Sequence, residues 1–316
     1  MIETEVLIVG GDPAGAACAA RLKSHHIPCL ILDRAAFPRA KPCAGWIPPE
    51  VFDDLQTDPQ DYPYDLTEFA AFQISIRGIK FQLPTYQFAI RRIDFDAWLL
   101  AQSNVEFHQH DVKQIEQHAN MYIIDGQFQA KILVGAGGTH CPVRRTFIPR
   151  KTRARLQGLI LAKEEEFQYP VENKQLHLWF FKDGLPGYAW YVPKTNNILN
   201  VGMGASAVKL KAKGRTLNQY WESFITSLER SGLVKDHTFY PTGYSYYLRQ
   251  RSPILRIGNI FLIGDALGLA TADMGEGIHP AIQSGLLAAD SISHGYKYSV
   301  KSIPRFSFPV LIKRRH

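Results

Sequence analysis

The sequence has 316 residues, 46% of them hydrophobic and 21% charged, with 24 glycines and 19 prolines. That balance excludes a disordered chain, a collagen and a small disulfide-stapled scaffold, and the length predicts two domains. The formal net charge is +7. No apolar run approaches the ~20 residues of a bilayer-spanning helix, and the acidic start from Met1 to Glu5 does not look like a secretion signal.

Val6 to Val9 is a short β-branched run that ends at Gly10-Gly11, the pattern of a buried parallel strand. Pro13 to Lys23 reads as a helix, with Pro13 in the first turn and Ala14, Gly15, Ala16 and Ala19 small enough for close contact with a sheet. Pro28 to Asp33 is a second strand ending in an acid, and the whole is the size of one βαβ unit. Phe37 to Pro49 is irregular. Phe69 to Ile90 reads as sheet, Asp94 to Gln102 as a short helix, and Val105 to Ile124 as a strand meander. Ile132 to Gly138 repeats the form of apolar strand followed by glycines.

From about 155 to 250 the texture changes. Strands are expected at Leu176–Phe181, Tyr188–Val192 and Ile198–Met203. A helix at Arg215–Arg230 places Leu217, Tyr220, Trp221, Phe224, Ile225 and Leu228 on one face. At Ile257 the first texture returns, with a strand running into Gly264-Asp265-Ala266, a glycine-rich loop, and a helix from Ile278 to about Ser291. The pattern predicts an α/β fold. A Rossmann-like domain is expected from residues 1–65, 91–150 and 251–316, and a sheet-and-helix substrate domain from 66–90 and 151–250.

Two stretches carry chemistry. In Gly10-Gly11-Asp12-Pro13-Ala14-Gly15, glycines at the first and sixth places suit the turn of a dinucleotide site, and the helix start offers N–H groups to phosphates. The third place, normally glycine, is Asp12, whose charge opposes a pyrophosphate unless it points away. Asp33 follows Gly10 by 23 residues, near the offset of the acid that binds a ribose hydroxyl. In the second stretch, Asp265 suits a sugar-like hydroxyl. Gly275 and Gly277 allow close backbone approach to a ring, and the helix start at Ile278 favours negative charge on it.

In these residues the chain resembles the FAD-dependent oxidoreductases of the p-hydroxybenzoate hydroxylase-type fold, and within them the geranylgeranyl reductase family. Arg92-Ile93-Asp94-Phe95-Asp96 is similar to that family's R-x-x-F/L-D helix start. Lys41-Pro42-Cys43-Ala44-Gly45 resembles its K-x-C-G-G stretch, and Tyr188-Ala189-Trp190-Tyr191-Val192-Pro193 its Y-x-W-x-F-P segment. The resemblance implies FAD as cofactor. It implies contacts from Gly10, Ala14, Gly15, Asp33, Arg34, Cys43, Ala44, Gly45, Arg92, Val112, Gly264, Asp265, Gly275, Gly277 and Ile278, with Tyr188 and Trp190 lining the substrate pocket and Cys43 as a catalytic candidate. The chain departs from the pattern at Asp12, at Gly137 (an acid in relatives) and at Cys141 (often serine). Set against the longer reductases, the resemblance leads to the expectation of a chain without their C-terminal extension.

The implied activity is hydride reduction of C=C bonds in a hydrophobic, prenyl-type substrate, with NADPH or ferredoxin as external electron donor. Two alternatives stay open. One is a flavin monooxygenase or halogenase, since halogenases carry a W-x-W-x-I-P segment like Tyr188–Pro193. The other is a flavin-binding protein without turnover. Cys18, Cys29, Cys43 and Cys141 form no C-x-x-C pair, so neither disulfides nor a structural zinc is expected and a reducing cytoplasm fits. His140 and His279 lack ligand partners at useful spacing, so no metal is assigned. The run Lys209, Lys211, Lys213 and Arg215 reads as a solvated face, not a nucleic-acid site. Lys297, Lys301, Arg305, Lys313, Arg314 and Arg315 form a basic tail with interleaved Phe306 and Phe308, suited to peripheral contact with an anionic membrane.

Overall fold

The computed structural model describes residues 1–149, 158–249 and 253–312. Lys313, Arg314 and Arg315 of the basic tail, and the expected domain borders at 150/151 and 250/251, lie outside the described residues. The chain begins with β1 (Ile2–Val9), α1 (Pro13–Ser24) and β2 (Cys29–Asp33). A two-residue strand β3 (Trp46–Ile47) and a short helix α2 (Glu50–Asp54) precede the hairpin of β4 (Thr67–Ile76) and β5 (Ile79–Ala89). Next come α3 (Arg92–Ser103), β6 (Glu106–Gln109), the hairpin β7 (Ile115–His118) and β8 (Met121–Ile124), β9 (Phe128–Gly135) and α4 (Pro142–Phe147). The middle of the chain forms β10 (Leu159–Gln168), β11 (Leu176–Phe180), β12 (Gly187–Lys194), β13 (Ile198–Ser206), α5 (Ala207–Lys213), α6 (Leu217–Arg230) and β14 (Thr242–Tyr247). It closes with β15 (Arg256–Ile257), β16 (Ile260–Leu262), α7 (Ile278–His294) and α8 (Phe308–Leu311).

These strands make two eight-stranded sheets. The first has the order β15-β16-β9-β1-β2-β6, with β16, β9, β1, β2 and β6 parallel and the β7–β8 hairpin attached to β9. Val6, Leu7 and Ile8 are fully buried, as expected of a central parallel strand whose two faces are both covered. α1 packs against α7 and the first sheet, and its first two turns, from Pro13 to Ala20, are built of small residues. A Cβ on Gly15 would overlap the Gly10 carbonyl, and one on Gly285 of α7 would overlap the Ala14 carbonyl.

The second sheet has the order β14-β10-β13-β12-β11-β4-β5-β3 and is antiparallel except where β11 meets β4. Its period-2 alternation sorts side chains between two cores. Ala189 and Tyr191 of β12 pack with Leu199, Val201 and Met203 of β13 against Trp221, Phe224 and Leu228 of α6. Trp190 and Val192 face the other way, towards Trp46, Phe72, Leu178 and Met274. α6 begins at a reciprocal cap between Thr216 and Gln219.

Two stretches differ from the sequence expectation. The irregular segment after Arg34 contains β3, which pairs with β5. The meander expected at Val105–Ile124 is split: β6 extends the first sheet beside β2, and only β7 and β8 form a hairpin. β6 is an edge strand reading Glu-Phe-His-Gln, without the apolar run that marks a parallel strand buried on both faces. Among the described residues no helix is long and apolar enough to cross a membrane.

Candidate active site

The parallel strands of the first sheet all point their C-terminal ends at one cleft, the place where ligands sit in such sheets. Gly10 follows β1, Asp33 ends β2, Ala136 and Gly137 follow β9, and Asp265 follows β16. All of them line a cavity of about 850 Å³, within the roughly 300–1,000 Å³ usual for small-molecule sites. The opposite wall comes from the second sheet, through Leu161, Tyr188, Trp190, Gly243, Tyr244, Ser245 and Tyr246.

Of the residues singled out in the sequence, Gly10, Ala14, Asp33, Arg34, Cys43, Ala44, Gly45, Arg92 and Val112 line this cleft. So do Tyr188, Trp190, Asp265, Gly275, Gly277 and Ile278. Gly15 and Gly264 do not reach it. They lie beneath it, where Gly15 admits the Gly10 carbonyl and a Cβ on Gly264 would sit 2.9 Å from that of Ala14. Residues 10–45 and 265–278, far apart in sequence, thus form one cavity wall.

At one end, both oxygens of Asp33 are held by backbone N–H groups, from Gly11 at 2.8 Å and Ala35 at 2.9 Å. Each carboxylate oxygen keeps a lone pair for a further donor. Asp12 is the N-cap of α1 but makes no side-chain capping bond. Its carboxylate turns instead to Arg39 and Lys41. The first N–H groups of α1 therefore stay open to an anion, and the charge that looked hostile in the sequence is neutralised by two cations.

At the middle of the cleft, Arg92 holds Asp96 with two bonds of 2.7 Å. Burial works against the Arg92 charge, but the Asp96 carboxylate outweighs it and raises the guanidinium pKa. Burial raises the pKa of Asp265. It also pushes Glu276 up to about 7, with His279 opposing. The Glu276 carboxylate accepts the His279 N–H at 2.8 Å, at the start of α7. Cys43 lines the cleft, and its enclosure raises its thiol pKa, with Arg92 pulling the other way.

On the side of the second sheet, Trp46, Tyr188 and Trp190 form an aromatic wall, with Tyr188 6.2 Å from Trp46 and 5.7 Å from Trp190 between ring centroids. The Tyr188 hydroxyl donates to the Met274 carbonyl, fastening this wall to the loop before α7. Gly275 has φ +66° and abuts the Tyr246 hydroxyl, so a side chain there is excluded twice. Cys18 and Cys141 are fully buried in the core, and Cys29 is half-buried beside it.

Sequence reasoning missed Arg39 and Lys41 as partners of Asp12. It also missed Tyr244, Tyr246, Glu164 and Glu276. For Tyr244 and Tyr246 the alternation Gly243-Tyr244-Ser245-Tyr246 was an available strand signal. For Glu164 no local signal exists, because the acid sits in a run of three glutamates that looks like a solvated face.

The profile of the geranylgeranyl reductase catalytic domain matches residues 160–238, the stretch that supplies Tyr188 and Trp190. The chain is 26% identical to a menaquinone reductase of Mycobacterium tuberculosis, over 90% of this chain and 76% of that one. It is 25% identical to a geranylgeranyl diphosphate reductase of Rhodobacter capsulatus, over 91% and 74%. A solved geranylgeranyl bacteriochlorophyll reductase-like protein of Thermoplasma acidophilum shares the fold, with a TM-score of 0.81 at 18% identity, covering 93% of this chain and 79% of its own. Cleft, aromatic wall and relatives together point to a flavin-dependent oxidoreductase that is similar to the geranylgeranyl reductases.

Proposed function

We propose that the chain binds FAD along the cleft and reduces C=C bonds of a prenyl chain. The observation that carries this reading is the continuity of one cavity from Asp33 and the open start of α1 to the aromatic wall of Tyr188 and Trp190. The residues fit FAD at both ends. Asp33 is oriented for ribose, Arg39 and Lys41 stand by the phosphate cradle, and the backbone at Gly275–Gly277 is bare enough for a ring edge. The chemistry FAD supplies when bound and reduced is hydride transfer, with electrons drawn from NADPH or ferredoxin outside the chain.

The protein's own residues then have distinct tasks. Trp46, Tyr188 and Trp190 hold an alkene by apolar contact, at about 25 cal/mol per Å² buried, and keep water from it. Arg92 and the start of α7 favour negative charge in the middle of the cleft. Cys43 holds a proton on Sγ at the cleft wall, ready for the second alkene carbon. Lys297, Lys301 and Arg305, beside the exposed Phe306 and Phe308, support contact with an anionic membrane surface where such lipids reside.

Anaerobic incubation of the FAD-loaded protein with dithionite and geranylgeranyl diphosphate or a prenylated quinone tests the reading. Mass spectrometry is expected to show products heavier by two hydrogens per double bond. A product that gains oxygen, in air with NADPH, rejects it in favour of a monooxygenase.

A further inference from the structure

Glu164 sits in the middle of β10 and is 3% exposed. Its Oε1 accepts the Cys43 backbone N–H at 2.6 Å. Asn200 of β13 donates from Nδ2 to the Cys43 carbonyl at 3.2 Å and to the same Glu164 oxygen at 3.4 Å. Trp190 fixes Asn200 in turn, its Nε1 donating to Oδ1 at 2.8 Å. The second sheet thus grips the Cys43 residue at both its N–H and its carbonyl, and the grip begins at the substrate wall. The other carboxylate oxygen of Glu164, Oε2, is buried without a hydrogen-bond partner.

A buried ionised carboxylate with an unsatisfied oxygen is costly, so the group takes up a proton more readily than an exposed acid. Burial moves Glu164 to about 7, with Lys194 and the Cys43 N–H limiting the rise and Glu166 adding to it. The charged and titratable groups around it are Lys194 from β12, Glu166 from β10 itself, Tyr244 from β14, and the Cys43 thiol, which Arg92 of α3 also faces. Glu164 therefore changes charge near neutrality, beside the thiol on the cleft wall.

We propose that Glu164 is the positioning residue for Cys43: it fixes the peptide that carries the thiol and, by gaining or losing its own proton, sets how readily Sγ gives up its proton. An ionised Glu164 opposes a second negative charge and keeps the thiol protonated; a neutral one releases that restraint. This deepens the reductase reading in one respect only, the use of the proton. There the S–H bond breaks as a C–H bond forms on the alkene carbon that did not receive hydride, and the thiolate regains a proton from water.

The test is alkylation of the FAD-loaded protein by iodoacetamide between pH 5.5 and 9.5, with modification at Cys43 followed by peptide mass mapping. In the wild type the logarithm of the rate is expected to climb with unit slope, flatten near pH 7 as Glu164 ionises, and climb again. Glu164→Gln keeps an acceptor for the Cys43 N–H but has no charge. It is expected to remove the flattening and raise the rate at pH 8 by about three- to tenfold, a shift of roughly half to one pKa unit. A merely structural clamp moves neither feature. A wild-type profile that climbs evenly through pH 7 overturns the proposal, and that measurement needs no variant to fold. Alkylation needs no substrate, so a protein that shows the flattening but reduces no prenyl alkene refutes the reductase reading and leaves this one standing.

Discussion

Asp12 and Arg39 form an ion pair on the floor of the cleft, with Lys41 on the other oxygen of the same carboxylate. The pair explains how an acid occupies a position that phosphate-binding turns reserve for glycine. It also has a measurable consequence. Asp12 engages two cations that a pyrophosphate would otherwise draw in, and adds a negative charge to a site for a dianion. Asp12→Asn keeps the volume and removes the charge. It is expected to tighten FAD binding about three- to tenfold at low salt, measured by flavin fluorescence titration of the apoprotein. The gain should shrink as ionic strength rises and the Debye length falls to ~8 Å.

The indole of Trp190 lies against Gly202, its cross-strand partner. A Cβ at Gly202 would sit 2.5 Å from the indole Cε2 and 2.7 Å from the Glu164 Cβ. Gly202→Ala therefore has to push the indole off its bond to Asn200, at an overpacking cost of about 1–3 kcal/mol. Gly204, two residues on, is the control. A Cβ there meets nothing closer than 3.5 Å, so Gly204→Ala is expected to leave stability nearly unchanged. Urea unfolding of both variants, with tryptophan fluorescence as the readout, checks the contrast. Equal midpoints would sink it.

Arg92 and Asp96 are one turn apart on α3, and the Asp96 side chain is fully shielded from solvent. Removing the arginine leaves that carboxylate without its bidentate partner. Arg92→Ala is expected to cost about 3–5 kcal/mol, as breaking a buried pair usually does. Arg92→Lys keeps the charge but loses the two-bond fork, so it should fall between. Denaturant midpoints of the three proteins give the order directly. An alanine variant as stable as the lysine variant contradicts the argument.

How much of this was legible in the sequence depended on how local the signal was. Val6–Val9, the glycines at 10 and 15, and Asp33 announce a strand, a turn and a second strand within one short stretch, and they form as read. Gly275, Gly277 and Ile278 are equally local. The aromatic alternation of Tyr188 and Trp190 fixes their shared face. What the sequence withheld was pairing over distance. Glu164 meets Cys43 across 121 positions, and nothing near either residue marks the other. Asp12 looked like a defect because its compensating cation Lys41 stands 29 positions away, in a loop with no periodicity to read. β6 was hidden because an edge strand has no need of a continuous apolar run.

The start of α7 makes stability depend on pH in a direction that can be worked out. Burial lifts Glu276 from an ordinary value of 4.5 to about 7, so the folded protein holds this proton more tightly than the unfolded chain. The stability gained is complete below about pH 4.5 and is lost as pH rises through about 7. His279 acts in the same sense. Burial alone would lower its pKa, but the bond to Asp54 at 2.9 Å and the neighbouring Glu276 raise it above 6.5. Its contribution is therefore also present in acid and lost on the alkaline side. Glu164 adds a third term of the same sign. The Tm of the flavin-free protein is thus expected to fall from pH 5 to pH 8. Glu276→Gln should remove part of that fall, leaving a flatter profile with its largest gain over wild type at pH 8. Differential scanning calorimetry at half-unit steps would show it. Parallel profiles for wild type and variant would mean that Glu276 is not held protonated by the fold.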